Sequence, residues 1–302
     1  MTLARSTLTP VHLLLAITVM AVWGSNFVVI KFALAHLPPL FLAALRFSAV
    51  FLPAAFFLKR PQASWANLAA YGLLIGAGQF GALFIALRAD AAPGLASLVM
   101  QTQVFFTIGL SMWLTGEMLK AAQVAALGLA VAGIAIILTH ADRSITPLGL
   151  GLLLVAALSW SGGNMVSRAA GKVDMLAYVV WSSLFAVPPL FALAFVFEGP
   201  TAMLEGIRSA DAMTWAAVAW QALGNAMFGY GVWGWMLARY PAASVAPLAL
   251  LVPIFGMTAS ALILGEPMQN WKLIAAALVM SGLALGVLWP RIARRFVQGE
   301  PV

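Results

Sequence analysis

Runs of apolar residues, each about 20 long, dominate this sequence and leave it few ways to fold. Ten can be marked, at approximately 11–33, 39–58, 66–87, 93–114, 121–139, 147–168, 175–197, 212–237, 242–264 and 271–289. About 20 residues of helix cross roughly 30 Å of hydrocarbon, and only helices and closed barrels satisfy their backbone hydrogen bonds there. Barrel strands alternate apolar and polar residues over about ten positions, a pattern these runs lack. The fold class is therefore an all-α polytopic membrane protein with ten transmembrane helices. The breaks carry helix-ending residues, such as Pro38-Pro39, Lys59-Arg60-Pro61 and Gly265-Glu266-Pro267. Most are short, which makes consecutive helices antiparallel neighbours. The longest, Glu198 to Asp211, reads as a polar loop.

Composition agrees, with 63% hydrophobic and 8% charged residues, against about 25% charged in soluble domains. There is no cysteine, which excludes disulfides and thiolate chemistry. No phosphate-binding GxxxxGK[ST] loop occurs, and no nucleophile, acid–base or metal-ligand cluster lies at membrane depth. No cofactor, metal or catalytic residue is expected, and an intramembrane enzyme or sensor is the disfavoured class. The net charge of +7 reads as basic loops at an anionic leaflet, not as a nucleic-acid footprint. The first run continues past Phe27 without a small-residue cleavage site and is read as a spanning helix.

Lys and Arg orient the bundle. An N-terminus inside puts Arg5, Lys59, Arg60, Lys120, Arg168, Lys172, Arg239, Arg291, Arg294 and Arg295 on the cytoplasmic side. Arg88, Arg143, Arg208 and Lys272 fall on the other, so ten against four favour both termini in the cytoplasm. The Arg-rich tail after Trp289-Pro290 reads as an interfacial anchor, and Lys31, near a helix end, as a snorkelling side chain.

The chain also repeats. Leu114-Thr115-Gly116-Glu117-Met118 is echoed by Leu264-Gly265-Glu266-Pro267-Met268, and at the same offset Gly133 meets Gly282 and Phe106 meets Phe255. Trp23 and Asn26 align with Trp160 and Asn164 after a one-residue slip. Residues 1–145 and 146–302 thus form two five-helix repeats. An odd number of crossings inverts the second, placing Glu117 at the cytoplasmic face and Glu266 at the other. Such inverted repeats are common in secondary transporters, with the site near the midplane.

Trp23-Gly24-Ser25-Asn26-Phe27 in the first helix, Arg46-Phe47 in the second and Gly-Glu after the fourth and ninth resemble the drug/metabolite transporter superfamily. Across about residues 10–290 the chain is similar to its ten-helix EamA branch, and within it to bacterial inner-membrane exporters of aromatic amino acids. The resemblance implies export of a small metabolite through a central cavity by alternating access without ATP hydrolysis. Trp160-Ser161-Gly162-Gly163-Asn164 departs from the pattern by one extra residue, which leaves the registry of the sixth helix open.

Every acidic residue lies in a loop or at a helix end, so facilitated movement is expected over proton coupling, which usually buries a carboxylate. Arg46 is the embedded charge, read either as a counter-charge for a substrate carboxylate or as a structural bond to backbone carbonyls. Asn26, Gln79, Gln101, Gln103, Asn164, Gln221 and Asn225 lie inside apolar runs and should face inward, lining a cavity or bonding helix to helix. Met100, Gln103, Thr107 and Ser111 share one face of the fourth helix. With Trp23, Phe80, Trp160, Trp181 and Tyr230, these carboxamides suit an amphipathic solute such as a zwitterionic amino acid. The substrate-binding set is Trp23, Asn26, Arg46, Gln79, Phe80, Met100, Gln101, Gln103, Trp160, Asn164, Trp181, Asn225 and Tyr230. Drug, nucleoside or polyamine export is the alternative on the same fold. A monomer is expected, with a small-molecule substrate and the bilayer as its partners. Pro53, Pro188-Pro189, Pro247 and Pro253 are expected to interrupt helices, and Gly128, Gly133, Gly282 and Gly286 to pack closely.

Overall fold

The computed structural model describes residues 8–115, 121–140, 144–240 and 242–298. Helix starts follow the local chemistry. Pro10, Pro39, Pro93 and Pro147 stand in first turns, where a missing N–H costs nothing. Thr9, Ser64, Thr146, Asp174 and Asp211 accept a hydrogen bond from a backbone N–H of the turn they precede. The resulting helices are α1 (Pro10–Ala33), α2 (Pro39–Ala54), α3 (65–90), α4 (93–115), α5 (Ala121–Thr139), α6 (Pro147–Ala169) and α7 (Met175–Phe197). They continue with α8 (Gly199–Ser209), α9 (212–239), α10 (242–264) and α11 (Asn270–Gln298).

Eight of these stretches are long and apolar enough to cross a membrane, and Pro39–Ala54 is a shorter apolar helix. The molecule is a multi-pass membrane protein. α9 has the length but lower hydropathy, because Gln221, Asn225 and its glycines and tryptophans dilute the apolar residues. Two readings of the sequence change here. Glu198 to Asp211 is mostly the helix α8 rather than a loop. Pro188 and Pro189 sit inside an unbroken α7, whereas Pro247 stands in the first turn of a 3₁₀ stretch, Ala246–Leu250, that divides α10.

Small residues set the helix spacing. A Cβ on Gly24 of α1 would lie 2.5 Å from the Val252 carbonyl oxygen and 2.7 Å from the Phe255 Cβ, so only glycine lets α1 and α10 approach. Gly133 and Gly282 do the same for α5 against α11, while Gly128 faces open space. The main pairings are α1 with α9 and α10, α2 with α7 and α9, α3 with α6 and α7, α4 with α6 and α10, and α5 with α11. α1, α3, α4, α6 and α9 surround the centre.

Candidate functional site

Two backbone irregularities shape the centre. The middle of α3 (Leu73–Gly81) and of α9 (Gln221–Phe228) winds as π-helix, and α4 and α10 each contain a 3₁₀ stretch, at Met100–Thr102 and Ala246–Leu250. π segments widen the turn and are frequent at functional sites. These two deliver Gln79, Phe80 and Asn225 to a cavity of about 70 Å³. Trp23, Asn26, Phe27 and Ile30 line it from α1, Met100 and Gln101 from α4, Trp160 from α6, Tyr230 from α9, and Leu83 and Val252 complete it. Ligand pockets are typically mostly apolar with a few polar groups. Here the side-chain oxygens of Asn26 and Gln79 are buried without a hydrogen-bond partner. Trp23 is fixed by its indole N–H, which donates to the Asn225 carbonyl oxygen at 3.1 Å, and its ring packs on Tyr230 and Trp233.

Arg46 lies behind this cavity. Its guanidinium is stacked on the Phe80 ring, 3.6 Å from the centroid, and one Nη donates to the Asn225 Oδ1 at 3.1 Å. A smaller space of about 10 Å³ adjoins it, lined also by Phe47, Tyr71, Ser182, Ser183 and Tyr230. Phe80 and Tyr230 border both spaces.

Ten of the thirteen residues singled out from the sequence therefore meet at these two adjoining spaces. Gln103, Asn164 and Trp181 do not. Asn164 donates to the Gln103 Oε1 at 2.9 Å and to Thr107, while Ser161 donates to the Gln103 carbonyl oxygen at 2.8 Å. This cluster joins α4 to α6. Ser111 continues the strip, accepting from Arg168, so the polar face of α4 meets α6 while Met100 turns to the cavity. The Trp181 indole donates to the Leu58 carbonyl oxygen at 3.0 Å and its ring packs on Phe51 and Trp65. Phe27, Ile30, Leu83 and Val252 were missed. Helical spacing offers Ile30 and Leu83, each four residues beyond Asn26 or Gln79, but nothing in the sequence marks Val252.

Several other charged side chains serve helix ends. Lys31 does not snorkel: its Nζ donates to the Leu87 and Arg88 carbonyl oxygens, and Arg88 in turn donates to those of Leu34 and Leu37. Each side chain caps the C-terminus of the other's helix. Glu266 accepts from Gly94 N–H at the start of α4, from the Ser260 hydroxyl, and from the buried Lys272 at 3.1 Å. Its expected counterpart Glu117 lies outside the described residues. Glu198 accepts the Leu40 and Phe41 N–H groups at 2.6 and 2.9 Å; burial pushes its carboxyl above the usual range, against those two bonds. Asp211 is held below the usual range by hydrogen bonds from the Thr214 backbone and hydroxyl.

The model of the EamA-like transporter family matches residues 11–139 and again residues 147–288. A protein of Salmonella typhimurium named "Probable amino-acid metabolite efflux pump" is 38% identical over 286 residues, covering 93% of this chain and 96% of that protein. Its namesake in Escherichia coli is 38% identical over 279 residues, covering 90% and 93%. An uncharacterized transporter of Bacillus subtilis is 26% identical, covering 88% and 93%. A solved crystal structure has the same fold, with a TM-score of 0.62 at 22% identity over 94% of this chain and 98% of that one.

Proposed function

The chain belongs to the EamA-like transporter family, and from that premise we propose that it exports amino acids and similar small amphipathic metabolites, aromatic ones included, through the central cavity by alternating access. The observation that carries this reading is the cavity itself. Aromatic rings and apolar side chains would hold the body of such a solute, and the partnerless oxygens of Asn26 and Gln79 would receive its polar end. The names of the two relatives at 38% identity support the substrate class and the direction.

We read the architecture as ten crossings in two inverted five-helix repeats, 1–145 and 146–302, with both termini cytoplasmic in a bacterial inner membrane. Two separate family matches support the duplication. The helix pairings support it too: exchanging α1–α5 for α6, α7, α9, α10 and α11 turns α1–α10 into α6–α4 and α1–α9 into α6–α3, both of which occur. The π and 3₁₀ stretches recur in exchanged helices as well. Among the described residues no Asp or Glu lines either central space, which supports facilitated movement.

Counterflow in proteoliposomes holding only this protein tests both parts, with phenylalanine, threonine, methionine and a cationic drug as solutes. Saturable amino-acid flux that a pH gradient leaves unchanged is expected. Absence of flux for every amino acid refutes the substrate class, and a strict need for the gradient refutes facilitation.

A further inference from the structure

Among the described residues Arg46 and Lys272 are the buried basic side chains, and Arg46 is partnered unlike Lys272 or the helix-end cations. Lys31 and Arg88 each reach two backbone carbonyls, and Lys272 pairs with Glu266. Arg46 is 2% exposed, reaches one carboxamide oxygen, and leaves its Nε and its other Nη without a partner. Among the described residues the two ion pairs, Lys272 with Glu266 and His36 with Asp211, both lie at helix ends, and no described carboxylate answers Arg46. A buried guanidinium left this way is costly unless something supplies the missing acceptor.

We propose that Arg46 is a carboxylate subsite behind the Phe80 ring, and that the transporter selects solutes carrying a free carboxylate. The inference rests on the reading of the central cavity as the solute pathway and adds to it the chemical group that is recognised. The geometry is complementary at both ends of an amino acid. Partnerless acceptor oxygens on Asn26 and Gln79 suit an ammonium, and partnerless N–H donors on Arg46 suit a carboxylate. Asn225 connects the ends, since it lines the large cavity and holds Arg46 by its Oδ1. Phe80 stands between them: its ring borders both spaces and stacks on the guanidinium. A carboxylate reaches Arg46 when that ring swings aside, exchanging a cation–π contact for a charge-assisted hydrogen-bond pair.

The test compares phenylalanine, methionine and threonine with their carboxamides, which keep the body and the amine but lose the negative charge. Calorimetric binding to the purified full chain is expected to favour each acid over its amide by about tenfold or more, the loss of a charge-assisted bond. Arg46→Gln should level the two ligands, and Arg46→Lys should restore part of the preference. Equal affinities for acid and amide on the unaltered protein overturn the subsite while leaving the cavity as an amino-acid pathway. A preference for the acid that survives Arg46→Gln also overturns it. Binding of none of the six ligands overturns the pathway reading, and the subsite falls with it. The comparison on the unaltered chain decides even where Arg46→Gln fails to fold.

Discussion

α1 and α6 carry the same pair of side chains, a tryptophan followed by an asparagine, and put them to different uses. Trp23 and Trp160 both face the central cavity. Asn26 faces it too, with its oxygen free, whereas Asn164 turns to α4 and bonds Gln103 and Thr107. One residue of spacing accounts for this. Asn26 follows its tryptophan by three positions and Asn164 by four, and each position turns a helix by about 100°. With the tryptophans held in common, the second asparagine is rotated by about 100° out of the cavity and onto a neighbouring helix. Two similar stretches thus yield an asymmetric site, in which α1 offers an open acceptor to the cavity and α6 closes its asparagine on α4.

The glycines of the two stretches give the largest contrast. A Cβ on Gly24 would meet the backbone of α10 at 2.5 and 2.9 Å, whereas on Gly162 it would meet only the tip of the Leu74 side chain at 3.3 Å. Backbone cannot step aside and a leucine tip can. Gly24→Ala should therefore cost about 1–3 kcal/mol or more by overpacking. Gly162→Ala should be neutral or stabilise by up to about 1 kcal/mol, the helix propensity of alanine over glycine. Thermal unfolding in detergent checks both, and equal destabilisation by the two would break the claimed difference in packing.

The asparagines come next, and they separate function from stability. Asn26→Leu removes a buried oxygen that has no partner, so the fold should be unharmed while amino-acid flux falls about tenfold, the worth of one lost hydrogen bond to a charged group. Asn164→Leu should do the reverse: it removes one bond each from Gln103 and Thr107 and costs about 0.6–1.7 kcal/mol, the range for interhelical hydrogen bonds in membranes. Flux per folded molecule should be retained. Counterflow and unfolding midpoints measured on both variants decide, and similar flux loss in the two would mean that Asn164 also serves the pathway.

Much of the frame was legible in the residues. Helix starts were, because proline in a first turn and a Ser, Thr or Asp cap are local chemistry; Pro93, Pro147 and Asp174 mark their helices without reference to anything distant. Burial of the carboxamides was legible too, since hydrocarbon leaves them no other choice. Which neighbour each one finds was not. Gln103 carries the same inward signal as Gln101, and only the packing of α4 on α6 sends one to Asn164 and the other to the cavity. Lys31 read as snorkelling because the carbonyls it binds, Leu87 and Arg88, are brought close by the fold alone. The π segments left no trace either, as they change the turn without requiring any residue type.

Those segments supply the smallest and most specific test of the asymmetry. Gln79 in the first and Gln221 in the second are both buried glutamines, 4% and 0% exposed, with unpartnered amide atoms. Gln79 borders the cavity and Gln221 does not. If only acceptors that border the cavity serve the solute, the same change must act differently at the two positions. Gln221→Met removes two unanswered polar atoms and fills the space with a thioether, so the unfolding midpoint should rise, by about 1 kcal/mol in stability, with flux unchanged. Gln79→Met should raise stability similarly but slow amino-acid flux severalfold, because the atom it removes is one that the solute meets. A flux loss at Gln221 equal to that at Gln79 would mean that both π segments present their amides to the pathway in some other state of the cycle, and the asymmetry would then belong to this conformation rather than to the protein.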